Sequence, residues 1–497
     1  MDQIAYPTVR HAERLGGHPA IIAGGLVVSY RELEQRIRGA MGQLARVGLR
    51  AGDRVVVAAA NSLEWIILAH ALPRAGAILA PLHPHPNPSD AAAYLPRLAP
   101  ALILTDDSSR HVQPWFGWSG CPVIPITDVV NADTSEPNRS VNDMISATDI
   151  HTVVPTSGTG GTPKGVCLTM RNHLASALAN ALNLGINPDD RWLANLPFHH
   201  VGGLAIILRA AFYGTTVVLP SQHEDVTMME VIARHDVTQL SLVATTLSRL
   251  LDACGDQSVP PNLRSILVGG GPTGLDLLRN ARSLGLPVLP TYGMTETASQ
   301  VATLALGADL AKLHTVGRPL AMCDVEIRDD EGTTLPHGSD GTICVRSPML
   351  SPGYWIAPGR IEPVATNGWF VTNDIGCLDD DGYLIVHGRR DNVIITGGEK
   401  VAAEEVEAAL EQCEGVARAA VLGFEDHQWG RKVVALIEMA PGVVCDPDAL
   451  RADLRRRLET FKIPKVLVPV DQIPLTAAGK IDRRKLASVH STAAGQL

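Results

Sequence analysis

The chain has no surplus of positive charge. Its 42 lysines and arginines face 52 aspartates and glutamates, a formal net charge of −10. Nucleic-acid binding needs a basic face, and nothing in this balance favours one. Paired cysteines are missing too. The eight thiols, at 121, 167, 254, 323, 344, 377, 413 and 445, form no CxxC and no zinc spacing. They read as free or buried thiols of a reducing cytoplasm. The opening residues, Met1 to Pro7, carry an early acid and no apolar segment, unlike a signal peptide. Long apolar runs are interrupted: residues 66–80 by Pro73 and Arg74, residues 201–219 by Arg209. Neither has the unbroken length of a membrane span. No repeat of fixed period stands out. The expectation is a cytoplasmic protein without a membrane span or a nucleic-acid partner.

What is present suggests a large layered fold. With 497 residues, 45% of them hydrophobic, the chain can fill more than one core. Short apolar runs bounded by Gly, Pro or Asp fall at 54–60, 78–82, 101–104, 122–126, 215–219, 239–243, 265–268 and 287–290. Helical patterns at 63–77, 247–253 and 274–284 lie among them. Strands alternating with helices predict α/β layers with mainly parallel sheet. After about residue 315 the texture changes to short strands at 324–328, 341–345 and 383–387, separated by Gly/Asp turns. This predicts a small, barrel-like β piece. A charged junction, Gly388-Arg-Arg-Asp391, precedes a compact α+β pattern. It has helices at 403–413 and 447–458 and strands at 419–422 and 432–439. The predicted divisions are a large N-terminal domain over 1–387, a hinge at 388–391, a small mobile domain over 392–489 and a frayed tail over 490–497.

Ten residues, Thr156-Ser-Gly-Thr-Gly-Gly-Thr-Pro-Lys-Gly165, concentrate glycine, hydroxyls and one lysine. Glycines let backbone N–H groups approach oxygen, hydroxyls donate, and lysine adds a mobile positive point. That combination suits a polyphosphate. It is not a Walker A loop, because Pro163 replaces the second glycine and Gly165 stands where Ser or Thr should follow the lysine. A kinase-like NTPase fails on those two positions.

Further segments follow in order: Tyr292-Gly-Met-Thr-Glu296, Gly368 to Gly376, Gly388 to Asp391 leading to Gly397-Gly-Glu399, and Pro474 to Leu486 with Lys480 inside. Together with the glycine-rich run they resemble the ANL superfamily of adenylate-forming enzymes, over essentially the whole chain. The resemblance implies an ATP-dependent acid–CoA ligase that forms acyl-AMP and pyrophosphate, then passes the acyl group to CoA. ATP, Mg²⁺ and CoA as co-substrate are implied with it. By that likeness Thr156, Ser157, Gly158, Thr159, Gly160, Gly161, Thr162 and Lys164 hold phosphates. Glu296, with Thr156, ligates Mg²⁺, and Thr295 touches the α-phosphate. Tyr292 lies against adenine, and Gly270, Gly271 and Pro272 line the nucleotide. Asp374 accepts from the ribose hydroxyls, with Arg389 beside it. Lys480 bridges the attacking carboxylate and the α-phosphate. His200, Gly203, Gly269, Gly293 and Met294 border the acyl pocket. Asp391 is the hinge residue, and Gly398 leaves room for the pantetheine of CoA.

The chain departs from the family pattern in places. Pro155 replaces a common Tyr, Gly160 a common Thr, and Asn373 a frequent Gly. The run Lys400-Val-Ala-Ala403 replaces N-I-Y-P beside the CoA path. This last change motivates an alternative in which acyl-AMP is handed to a partner acyltransferase or carrier. A catalytically silent nucleotide-binding homologue is a third reading, opposed by the presence of Lys480, Asp374 and Glu296. Residues 197–220 and 292–304 look most like the o-succinylbenzoate–CoA ligase branch, and in part like fatty- and aryl-acid ligases. A bulky hydrophobic acid from a secondary pathway is an equal expectation. Arg209 is the one nearby cation for a second substrate carboxylate, although the preferred reading has it facing solvent. Two adjacent histidines, His199 and His200, rarely face one metal, and His199 is left without a role. A homodimer is left open.

Overall fold

The computed structural model describes residues 3–86, 88–112, 120–130, 143–156, 163–220, 227–254, 259–396, 399–426, 430–475, 481–483 and 485–486. Two large sheets form its base. The runs read as strands from apolar, β-branched composition appear where expected, within a residue or two at their ends except that 287–290 continues to Met294, and most of them are buried on both faces. Arg54–Ala58, Ile78–Leu82, Leu102–Thr105 and Val123–Pro125 lie parallel in an eight-stranded sheet. Ile150–Thr156 joins parallel to Ile78–Leu82, then Lys164–Thr169 and Gly353–Ala357 extend the sheet antiparallel. A nine-stranded sheet runs, at its centre, Val288–Met294, Ser265–Val268, Gln239–Leu242, Arg191–Leu193, Thr216–Leu219 and Pro19–Ala23, all parallel.

One core joins these sheets, drawing Val55, Val57, Leu79 and Val154 from the first and Ile21, Trp192, Val217 and Leu289 from the second. The helices Tyr30–Arg46, Leu63–Arg74 and Val201–Tyr213 contribute to the same core. That placement explains the two apolar stretches of the sequence. A helix that is apolar all round is one that has no water on any side. Ser62 starts the first of them by accepting from Trp65 N, and Gly214, at φ 78°, ends the second in the left-handed conformation glycine favours. Among the described residues no helix is long and apolar enough to cross a membrane. Cys167, Cys254, Cys323, Cys344, Cys377, Cys413 and Cys445 are free thiols.

The β-rich piece after residue 315 is a four-stranded antiparallel sheet in the order Asp324–Arg328, Gly341–Arg346, Phe370–Leu378, Leu384–Arg389. The chain leaves it after Arg389, makes one turn over Arg390–Asn392, and enters a separate sheet at Val393–Thr396. That second sheet includes Glu399–Ala402, Gly430–Met439, Val416–Asp426 and Val466–Val470, and it has its own core with the helices Ala403–Glu411 and Pro447–Leu454. Asn392 of the turn donates from Nδ2 to Glu404 Oε1, and Arg457 ties the small sheet back to the larger part, 3.7 Å from Asp276.

Candidate active site

In open parallel sheets the ground beyond the carboxyl ends of the strands is where ligands bind. Two neighbouring strands of the nine-stranded sheet end in residues singled out above. Ser265–Val268 runs into Gly269-Gly-Gly-Pro272. A Cβ on Gly269 would lie 2.7 Å from Thr291 Cγ2, and Gly270 has φ +82°, so both positions exclude a side chain. Val288–Met294 passes into a short turn over Thr295–Thr297 and reverses into Ser299–Thr303. Two non-glycine residues take positive φ there, Ala298 at 51° and Ser299 at 114°. Such backbone is held only where its surroundings over-determine it, which marks the turn as a site of stored strain. Gly293 allows the tight return, since its Cβ would fall 1.7 Å from Ser299 O.

This turn presents two carboxylate–tyrosine pairs. Tyr292 donates to Asp374 Oδ2 at 2.6 Å. Burial, and then the carboxylate itself, push the Tyr292 phenol well above its usual range, so it stays a neutral donor. Asp374 sits on Phe370–Leu378 directly opposite Arg389. In the second pair Tyr354 donates to Glu296 Oε1 at 2.9 Å, and burial followed by Glu296 raises its phenol. Lys164 Nζ stands 4.7 Å from the centre of the Tyr354 ring. The Arg389 charge acts on both phenols, which puts the two pairs in one electrostatic neighbourhood. Glu296 is also fixed through its backbone, its carbonyl accepting from Ser351 N at 2.7 Å. Met294 and Thr295 are partly buried in the same turn.

The ends of the glycine-rich run are paired. Thr156 and Lys164 are register partners on antiparallel strands, and Thr156 Oγ1 donates to Lys164 O at 3.4 Å. Ser157, Gly158, Thr159, Gly160, Gly161 and Thr162 lie outside the described residues, as do Gly398 and Lys480. The flanks of Lys480 are described. Leu475 and Ile481 bridge antiparallel, and Asp482 N donates to Pro474 O at 2.8 Å. Arg483 grips buried Glu407 through both oxygens, at 2.7 and 2.9 Å, and donates to Val421 O at 2.8 Å. Asp391 accepts from Asn373 Nδ2 at 2.5 Å.

A second cluster forms where residues 195–200 follow the strand Arg191–Leu193. His200 is the first residue of the turn into Val201–Tyr213, its N donating to Pro197 O at 3.1 Å. The His199 ring lies 4.3 Å from that of His200 and 4.8 Å from that of His83. Burial, then the charges of His200 and His83, hold His199 down to about 2, so it is neutral. Gly203 is a packing glycine, with a Cβ position 2.2 Å from Pro197 O.

One reading changes. Arg209 does not face solvent. It is 3% exposed, donates to Ser176 Oγ at 3.3 Å, lies 5.6 Å over the Trp192 ring and has no carboxylate partner among the described residues. Its helix has no solvent face to offer. Within the departure at 400–403, Val401 and Ala403 are buried in the core of the small sheet. Tyr354, His83 and His85 went unread in the sequence. Tyr354 is 58 positions from Glu296, and only the Pro-Gly-Tyr-Trp run at a strand start marked it locally.

A family model described as AMP-binding enzyme matches residues 9–355, and one described as AMP-binding enzyme C-terminal domain matches residues 405–480. A 2-succinylbenzoate–CoA ligase of Geobacillus kaustophilus is 37% identical over 467 residues, 94% of each chain. The o-succinylbenzoate CoA synthetase of Bacillus subtilis in complex with the acyl-adenylate intermediate OSB-AMP superposes with a TM-score of 0.91 at 32% identity, covering 98% of each chain. The same synthetase in complex with ATP and a magnesium ion gives 0.89 at 32% identity, covering 98% of this chain and 100% of that one.

Proposed function

The chain belongs to the family of AMP-binding, adenylate-forming enzymes, and we propose on that footing that it is an ATP-dependent 2-succinylbenzoate–CoA ligase. The observation that carries the reading is the pair of carboxylates, Glu296 and Asp374, each held by a half-buried tyrosine beside Lys164 and Arg389. One carboxylate suits a cation and the other a diol, so a single neighbourhood can address both ends of a nucleotide. Tyr354 occupies only Oε1 of Glu296. With the Thr156 hydroxyl this is a hard-oxygen donor set of the kind Mg²⁺ takes alongside substrate phosphates. Bound there, the ion neutralises phosphate charge.

In this reading Lys164 and the donors of 157–162 hold the outer phosphates, and Asp374 accepts from the ribose. Tyr292 keeps the Asp374 carboxylate aimed. Lys480 joins two anions that repel each other, the attacking carboxylate and the α-phosphate, and Arg483 with Glu407 anchors the segment that carries it. A preorganised cation at such a point is worth about 3–4 kcal/mol of barrier. Rotation at Asp391 then withdraws Lys480 and opens a thiol path past Gly398. The acyl group lies between the glycines at 269–271 and the His200 wall. A second substrate carboxylate is supported by Arg209, a buried guanidinium with a hydroxyl and a ring for company and no acid of its own. Free thiols at 167, 254, 323, 344, 377, 413 and 445 fit a cytoplasmic location.

The test is ATP–pyrophosphate exchange over a panel of mono- and dicarboxylic aryl acids, with mass-spectrometric detection of the CoA thioester. Exchange and thioester with 2-succinylbenzoate are expected. Thioester from simple monocarboxylates alone would reject the dicarboxylate reading. Lys480→Ala should lower adenylation about 10²–10³-fold and spare thioester formation from supplied acyl-AMP. Equal loss of both half-reactions would reject the two-pose reading.

A further inference from the structure

The four-stranded sheet carries a second ligand cluster that the adenylation chemistry does not use. Asp340 immediately precedes Gly341–Arg346, and because Gly341 is opposite Gly376, Asp340 stands level with Cys377. Cys377 is in turn opposite Ile385, and His387 is the extra residue where the register shifts beside Gly376, which brings its ring to the thiol. Three adjacent strands thus each contribute one side chain. Sγ, Nε2 and a carboxylate oxygen lie within 4.8 Å of one another. His387 Nε2 is 2.8 Å from Asp340 Oδ1 and 3.8 Å from Cys377 Sγ. The thiol is at the bottom, 8% exposed, and the carboxylate is at the open rim.

We propose that Asp340, Cys377 and His387 form a binding site for a zinc-class divalent ion, separate from the Mg²⁺ position at Glu296. The donor chemistry argues for it. One sulfur, one imidazole nitrogen and one carboxylate oxygen are the ligand types of tetrahedral Zn²⁺, with a fourth position left for water. Bond lengths of about 2.3 Å to sulfur and about 2.0 Å to nitrogen put those ligands roughly 3.5 Å apart, close to the present separation. The 2.8 Å contact of His387 with Asp340 has to open slightly, and Asp340 is the exposed, movable partner. Mg²⁺ is a poor competitor, since it prefers six oxygens. Competition from other acids is small too: Asp379 and Asp381 are committed to Lys312, at 2.7 and 2.6 Å.

Binding replaces a proton. In the metal-free site His387 Nε2–H donates to the Asp340 carboxylate at 2.8 Å. On binding, Sγ gives up its proton to solvent, the Nε2 proton passes to Nδ1 through solvent, and the freed Nε2 lone pair and the carboxylate complete the set. The strands also resist collapse of the site, because they are fixed by the ladder that carries Asp374 and Arg389.

The experiment is a Co²⁺ titration of the reduced, metal-free, full-length protein, followed by its thiolate-to-cobalt charge-transfer absorption. One equivalent should give the band, and a large excess of Mg²⁺ should leave it in place. Cys377→Ser should abolish it. His387→Ala and Asp340→Asn, both at exposed or half-exposed positions that spare the fold, should weaken binding at least about tenfold. The absence of a band in the unaltered protein would overturn the proposal. So would a band that survives Cys377→Ser, which would assign it to another thiol such as half-buried Cys121 or Cys445. Unchanged affinity in both exposed variants would overturn it as well.

Discussion

Two arginines interrupt the two most apolar stretches of this chain, and both end up buried. Arg74 closes the helix Leu63–Arg74 and meets two acids, Glu34 at 2.8 Å and Asp143 at 2.8 Å. Arg209, on Val201–Tyr213, meets Ser176 and the face of Trp192. Burying a charge costs several kcal/mol even after relaxation, and partners of opposite sign are the usual remedy. Where the remedy is built in, the arginine is part of the scaffold. Where it is missing among the described residues, as at Arg209, the proposed function gives the cation a substrate carboxylate for a partner. In that reading pairing, rather than burial, separates structural from functional cations.

The sharpest way to break this comparison is to remove Arg74. Arg74→Met leaves Glu34 buried with one fewer cation and should cost about 3–5 kcal/mol of stability, read as a lower denaturation midpoint, with activity per folded molecule unchanged. A stability loss confined to tenths of a kcal/mol would show that the pair is no scaffold.

Acid should act on both helices together. His70 lies on the first, bonded to Tyr6 at 3.0 Å, and His173 packs against His151 near Arg209. Burial holds His70 and His151 down to about 3, against an ordinary 6.5. Below pH 6.5 the unfolded chain therefore binds protons that the folded one refuses. Stability is intact above that pH and falls as the pH drops toward 3, by about 1.4 kcal/mol per histidine per pH unit. Urea denaturation from pH 7 to pH 5 measures this, and a midpoint that does not move with acid would contradict it.

Arg209→Met should do the reverse of Arg74→Met. Stability should hold or rise, while kcat/KM for the dicarboxylate should fall at least about tenfold, or about 1.4 kcal/mol. A monocarboxylic analogue should be nearly indifferent. If both acids suffer equally, Arg209 is shaping the helix rather than reading a charge. The smallest effect is expected from Tyr354→Phe, which deletes one hydrogen bond to Glu296 and should raise the Mg²⁺ concentration for half-maximal exchange about fivefold. An unchanged Mg²⁺ dependence would show that Tyr354 merely packs.

The strands were legible because burial on both faces leaves an uninterrupted apolar signature in the sequence. Tyr292, Glu296 and Asp374 were legible because each sits in a short run whose neighbours carry the same message. Arg209 was misread for want of a local cue: whether a lone cation on an apolar helix is solvated depends on what packs around it. Asp340, Cys377 and His387 are separated by 37 and 10 positions, a spacing that marks no metal motif, and only the sheet register aligns them.

By itself, then, the sequence determined the alternation of strand and helix and the family of chemistry, and it singled out the residues proposed to carry that chemistry, because those properties reside in local pattern. Tertiary structure alone decided that Tyr354 stands against Glu296, that one buried arginine is paired and the other is not, and that three strands bring a thiol, an imidazole and a carboxylate together. The reason is physical. Burial and contact are properties of distance in space, and hydrogen bonding across 58 positions in the chain leaves no mark on either partner's neighbours.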